Sequence, residues 1–241
     1  MSSNLKYPPM PTSPRSRRLQ YGLALLIVIE AVLAFAPIAI LSPAIGWPAS
    51  LRNPAAQQLT AIANAPMALS LGYGVYLLYS LGIAPLAIFV AWRVADLRDP
   101  MAAMIVAFGA LSALTRALGI LRWLTVMPAL AVSYAAADAP TRATIETVFT
   151  AINSYGGGIG ELFGVALFGG LWLLVAMIAA ISSKRLPLWL AGFGVMTALL
   201  QIALFAPALG APTLVPVAMA VTVFVLWLIA FAGHLAFGQN V

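Results

Sequence analysis

The chain has 241 residues, of which 63% are hydrophobic and 7% are charged, and it has no cysteine. A soluble domain averages about 45–50% apolar and about 25% charged residues, so the composition excludes an ordinary soluble protein and indicates an integral membrane protein. The lack of cysteine excludes disulfides, thiolate metal sites and cysteine-ligated haem or iron–sulfur groups. The net charge of +6 comes from basic residues in an N-terminal tail and short loops, which is the distribution membrane topology produces and not a nucleic-acid signal.

Residues 1–19 are polar and rich in proline, with Lys6, Arg15, Arg17 and Arg18 and no acid. A disordered basic tail held in the cytoplasm is expected here. Residues 20–241 are expected to form a single all-α domain, a polytopic bundle of six transmembrane helices. The first hydrophobic segment runs from about Tyr21 to Trp47, with Glu30 near its middle and Pro37 and Pro43 in its second half. Ala34-Phe35-Ala36 has the form of a signal-peptidase site, but Pro37 follows at once, so an uncleaved first span is expected. A more polar loop over 48–65 leads to a second span, about Ala65 to Trp92, in which Tyr73, Tyr76 and Tyr79 recur every third residue and share one side of a helix. Such a stripe serves either core packing or a flat wall for an unsaturated ligand.

After the charged loop of Arg93, Asp96, Arg98 and Asp99, a third span covers about Met101 to Val132 and contains Arg116 and Arg122. Asp138 followed by Pro140 reads as a helix start. A single helix over 139–182 would be about 66 Å long at 1.5 Å per residue, against a hydrocarbon core of about 30 Å. The segment is therefore expected to break at Tyr155-Gly156-Gly157-Gly158, with an interfacial or re-entrant piece over 140–154 and the fourth span over about Ile159 to Ile181. The fifth span is about Pro187 to Phe205 and the sixth about Thr213 to Phe237, with His234 near its end. Lys6, Arg15, Arg17, Arg18, Arg93, Arg98, Lys184 and Arg185 then fall on one side, and Arg52 and Arg142 on the other. This positive-inside bias places both termini in the cytoplasm.

An ionised side chain in mid-bilayer costs about 2.5–3.5 kcal/mol even on the mild insertion scale. Glu30, Arg116, Arg122 and Glu161 must therefore point inward and pair, or line a wet cavity. Depth matches Arg122 with Glu161 and Arg116 with Glu30. Arg116 and Arg122 are six residues apart and so point about 120° apart on a helix, which gives them separate partners. Glu146, Asn153 and Gly157 line up on one face by the same geometry. Together Glu30, Arg116, Arg122, Glu146, Asn153 and Glu161 make the candidate polar centre. Gly156, Gly160 and Gly164 form a small-residue ridge, which reads either as helix packing or as exposed N–H groups of a broken helix facing an anion. His234, the one histidine, is expected to be interfacial, and no metal site or cofactor is expected.

Four runs carry a family likeness: Arg116-x5-Arg122-Trp123, Glu146-x2-Phe149-x3-Asn153, Gly160-Glu161-x2-Gly164 and Leu186-Pro187-x-Trp189-Leu190. Through them the chain resembles a family of bacterial integral-membrane proteins known only as a domain of unknown function. The likeness covers most of the chain after the tail and is strongest over 116–192. It implies a six-helix bundle with an Arg/Glu/Asn centre, in the inner membrane of a bacterium, and it carries no activity.

Three functions fit these residues. A binding or transport protein for a small anionic or amphipathic molecule would have a cavity with an unpaired arginine toward it. A membrane enzyme acting on a lipid-dissolved, isoprenoid-like substrate would use Glu30, Glu146 or Glu161 as a buried acid, with tyrosines and Trp123 facing a cation. A structural subunit of a larger complex would have every charge paired and no cavity. Whether the protein is an enzyme stays open at this point. The expected partners are membrane lipids and a further membrane protein or a second copy of the chain, and not nucleic acid.

Overall fold

The structure, a computed structural model, describes residues 14–96, 98–212 and 215–237. Among these residues every regular element is helical. Helix α1 is Pro14–Ile45, α2 Ala55–Asn64, α3 Pro66–Val94, α4 Pro100–Leu124 and α5 Val126–Ala136. Helix α6 is Ala139–Gly157, a π-helical segment follows over Gly158–Phe168, and α7 is Gly169–Ser183. Helix α8 is Leu188–Ala203 and α9 is Val217–Phe237. Helix α1 takes in residues 14–19 of the expected tail, and residues 1–13 of that tail lie outside the described residues.

Five helical stretches are long and apolar enough to cross a membrane: Gln20–Ile45, Pro66–Val94, Pro100–Ala136, Ala139–Ser183 and Val217–Phe237. Helix α8 has only 16 residues, about 24 Å at 1.5 Å each, so the expected fifth span is short of a full crossing. Apolar side chains cover both faces of these helices. On α3, Ile83, Leu86 and Val90 are buried while Leu71, Leu78, Leu81 and Ile88 are exposed. Water does not tolerate so broad an apolar surface, and lipid does.

Three expectations are corrected. The glycine run does not break the helix. Gly157 and Gly158 keep helical backbone angles (φ/ψ −62/−45° and −57/−45°), and the chain widens from α to π instead. The third hydrophobic segment is not one helix: Thr125 (φ −123°, ψ −68°) divides α4 from α5. The polar stretch 48–65 is not a plain loop, because it holds the turn Ala49–Arg52 and α2.

Local sequence accounts for the helix ends. Asp99 caps α4 by accepting from the Met101 N–H at 2.8 Å, with Pro100 in the first turn. Asp138 caps α6 by accepting from the Thr141 N–H at 3.1 Å, and the Thr141 hydroxyl and N–H hold its carboxyl below the usual carboxylate range. Lys184 closes α7 with φ of 55°.

Among the described residues the bundle has two main cores and a minor third cluster around Val165, Ala166, Leu204 and Ala220. The larger joins α1, α3, α4, α7, α8 and α9 around Trp172, Phe224, Trp227 and Phe231. The smaller lies where α2, α5 and α6 cover the adjacent ends of α3 and α4, around Leu59, Tyr73, Trp123, Met127 and Phe149. Helix α6 exposes Thr141, Arg142, Thr144, Thr147 and Thr150, so this cap extends beyond the apolar belt. The polar groups gather at the junction of the two cores.

Candidate functional site

Helix α4 sets out its small and polar residues in one stripe. Gly109, Ser112, Arg116, Gly119 and Trp123 recur at alternating steps of three and four, which keeps them on one face. That face meets the π-helical segment at close range. A Cβ on Gly119 would lie 2.6 Å from Gly160 Cα and 2.9 Å from Gly156 O. One on Gly156 would lie 2.6 Å from Arg122 Cδ, and one on Gly164 would lie 2.7 Å from Arg116 Cγ. The glycine ridge thus makes room both for the α4 backbone and for the stems of two arginines.

Arg116 is 5% exposed. Its Nε–H points at Ser112 Oγ (3.2 Å) and at the Gly164 carbonyl (3.3 Å), and its Nη1 donates to the Tyr79 hydroxyl (3.5 Å). The guanidinium also lies 5.8 Å from the Tyr79 ring centre. The Gly164 carbonyl accepts the Ser112 hydroxyl at 2.7 Å and the Gly169 N–H of its own helix as well. A π-helical stretch inside an α-helix frequently accompanies a functional site, and here it aims a carbonyl at an arginine. Arg116 Nη2 is buried with no hydrogen-bond partner.

Arg122 has separate partners, as its six-residue offset predicts. Its Nε–H donates to Asn153 Oδ1 at 3.1 Å, its Nη1 donates to the Gly119 carbonyl, and its guanidinium lies 5.3 Å from the Trp123 ring centre. Neither arginine forms an ion pair with the glutamate matched to it by depth. Among the described residues, Glu30 and Glu161 have no hydrogen-bond partner. Glu30 is 2% exposed with Oε2 buried and unsatisfied, and Glu161 is exposed at the rim of a cavity. Glu146 is not brought to the centre. It faces α5 and accepts the Tyr134 hydroxyl at 2.9 Å. His234 lies in the last turn of α9, apart from Arg116 and Arg122.

Between the two main cores lies a partly open cavity of about 60 Å³. Arg116, Gly119, Arg122 and Trp123 of α4 line it, with Gly160, Glu161 and Val165 of the π-helical segment. Tyr73, Tyr76 and Ser80 of α3 and Trp47 and Leu51 beyond α1 complete the wall. The Tyr73 and Trp123 rings stack at 4.8 Å with 2° between planes, and Trp47 meets Tyr76 edge-on at 6.0 Å. Tyr73 Oη and Ser80 Oγ are buried without partners. The cavity thus combines two cationic side chains, two unused hydroxyls and aromatic faces. Those groups suit a negatively charged head on a molecule with an apolar or unsaturated body.

Sequence reasoning did not single out Ser112, Gly119 or Ser80. The first two were discoverable from the α4 stripe, since Ser112 is one turn from Arg116 and Gly119 one turn beyond. Ser80 had no signal of its own.

These features define a multi-pass α-helical membrane protein with a polar cavity at the join of its two cores. The chain belongs to the family described as Domain of unknown function (DUF4386), which matches residues 22–233. No curated protein and no solved structure matches it.

Proposed function

We propose that the protein binds, and by this means carries, a small anionic or amphipathic molecule whose anionic group sits at Arg116 and Arg122 and whose body lies against Tyr73, Tyr76 and Trp123. The observation that carries this reading is a guanidinium in the bundle interior with no carboxylate in contact, opening on a cavity with two buried, unpartnered hydroxyls. A buried guanidinium whose counter-charge stands off lacks the contact that best offsets its desolvation, and an anionic ligand supplies that contact. A purely structural subunit would keep its charges paired and its core filled, and here neither Glu30 nor Glu161 pairs with an arginine. The proposed setting is the cytoplasmic membrane of a bacterium, with six crossings, α8 being the short one. Both termini are then cytoplasmic, because Arg93, Arg98, Lys184 and Arg185 lie at one end of the bundle and Arg52 and Arg142 at the other.

The test uses octanesulfonate, whose charge does not change with pH, against octanol as the neutral control. Trp47 and Trp123 line the cavity, so intrinsic fluorescence of the detergent-solubilised protein reports occupancy. Saturable quenching by octanesulfonate and none by octanol is expected, with at least a tenfold weaker Kd in Arg116→Leu. Equal responses to the two probes, or an unchanged Kd in Arg116→Leu, would refute the assignment.

A further inference from the structure

We infer that Glu30 takes up a proton when an anion enters the cavity, so that the bundle holds one anion and one proton together. This inference rests on the anion site proposed above.

Glu30 is placed with care in the bundle. It lies within the apolar run of α1, is 2% exposed, and has one carboxylate oxygen buried without a partner. Gly82 of α3 sits directly against the carboxyl group, where a Cβ would overlap it. A carboxyl held in a niche that only glycine leaves open, and given no hydrogen bond there, is not a structural anchor.

The charges around it are few. Arg116 of α4 is brought close to Glu30 through α3, because it donates to Tyr79, one turn before Gly82 on that helix. Helix α3 contributes Tyr73, Tyr76 and Tyr79, and Arg93 in its last turn. Helix α9, which also packs on α1, carries one titratable group, His234, in its last turn beside Arg93. Helix α2 carries none. Glu30 and Arg116 therefore balance each other through space without touching, while Ser112, Gly164 and Tyr79 hold the guanidinium at its own post.

Two neutral states follow. With the cavity empty and toward alkaline pH, the Glu30 carboxylate offsets Arg116. With an anion at Arg116, that offset passes to the ligand, and an ionised Glu30 would be a second negative charge in the apolar interior. It then takes one proton from solvent, forming one O–H bond, and the net charge of the site is unchanged. Thermodynamic linkage makes the effect reciprocal: lower pH strengthens anion binding.

The experiment measures octanesulfonate binding to the full-length protein between pH 5.5 and 8.5, with proton uptake read from calorimetry in buffers of different ionisation enthalpy. Uptake approaching one proton per anion is expected toward pH 8.5 and little toward pH 5.5, with Kd weakening up to about tenfold per pH unit at the alkaline end. Glu30→Gln should bind with no uptake and a flat pH profile, and His234→Gln should behave as wild type. Binding without uptake in the wild type overturns the coupling and leaves the anion site standing. Uptake abolished by Glu161→Gln overturns it too, because the proton would then sit at the cavity rim. If Glu30→Gln does not fold, uptake that survives Glu161→Gln and His234→Gln supports the coupling. Failure of the wild type to bind octanesulfonate removes both the site and the coupling.

Discussion

Adding one methyl group at Gly119 should test the packing that creates the site. In Gly119→Ala the new Cβ would lie 2.6 Å from Gly160 Cα, 2.9 Å from Gly160 N and 2.9 Å from Gly156 O. All three are backbone atoms, so no flexible side chain can yield, and α4 must move away from the π-helical segment. Overpacking of this kind costs about 1–3 kcal/mol. The expected loss is at the upper end, because the same shift pulls Arg116 from Gly164 and Arg122 from Asn153. Gly158→Ala is the control: nothing lies within 4 Å of its Cβ position, and alanine in place of an unconstrained helical glycine gains about 0.5–1 kcal/mol. Reversible unfolding in mixed micelles should thus separate the two variants by about 1.5–4 kcal/mol, the sum of those ranges at their extremes. A Gly119→Ala protein as stable as wild type, or a Gly158→Ala protein less stable than it, would refute the close approach of the two backbones.

Asn153→Leu removes the acceptor of the Arg122 Nε–H. A hydrogen bond to a charged group is worth about 1.5–3 kcal/mol, and the half-buried setting of Arg122 puts the expected loss near the lower figure, read in the same unfolding assay. Glu146→Gln and Tyr134→Phe break a contact between α5 and α6 and should leave the octanesulfonate Kd within twofold of wild type; a tenfold change would place Glu146 in the site after all. The folded state lowers the Asp138 carboxyl pKa, so its contribution to stability is present above the unfolded value of about 4 and is lost as pH falls through the lower folded value. Asp138→Asn should remove that part of the acid dependence, and an unchanged acid profile in the variant would argue against the cap.

Hydrophobic content and the placement of polar residues were enough to read the membrane bundle, because a lipid-exposed charge is costly and loops collect what helices cannot hold. The separation of Arg116 and Arg122 was also legible, since helical geometry alone sets the angle between them. Pairing by depth chose the right electrostatic neighbours, Arg116 for Glu30 and Arg122 for Glu161, but neither pair is in contact. Depth gives level but not lateral position, and Ser112, Gly164 and Tyr79 claim Arg116 first. The glycine run misled for a related reason. Glycine permits a break, but it also permits a wider helix, and the α4 stripe of Ser112, Arg116 and Gly119 decides between them by packing against Gly156, Gly160 and Gly164. Glu146 shares a helical face with Asn153, yet Asn153 meets Arg122 while Glu146, two turns earlier, meets Tyr134. The short cap of α2, α5 and α6 was least visible, because two of these helices read as loop or as a continuation of a span.

The most direct measurement is native mass spectrometry of the gently solubilised protein, with extraction and identification of bound small molecules. A single anionic molecule at one copy per chain, lost in Arg116→Leu while the variant remains folded, is the predicted result. A bare wild-type chain, or one accompanied only by other protein subunits, would contradict the proposal that this cavity is built for a ligand.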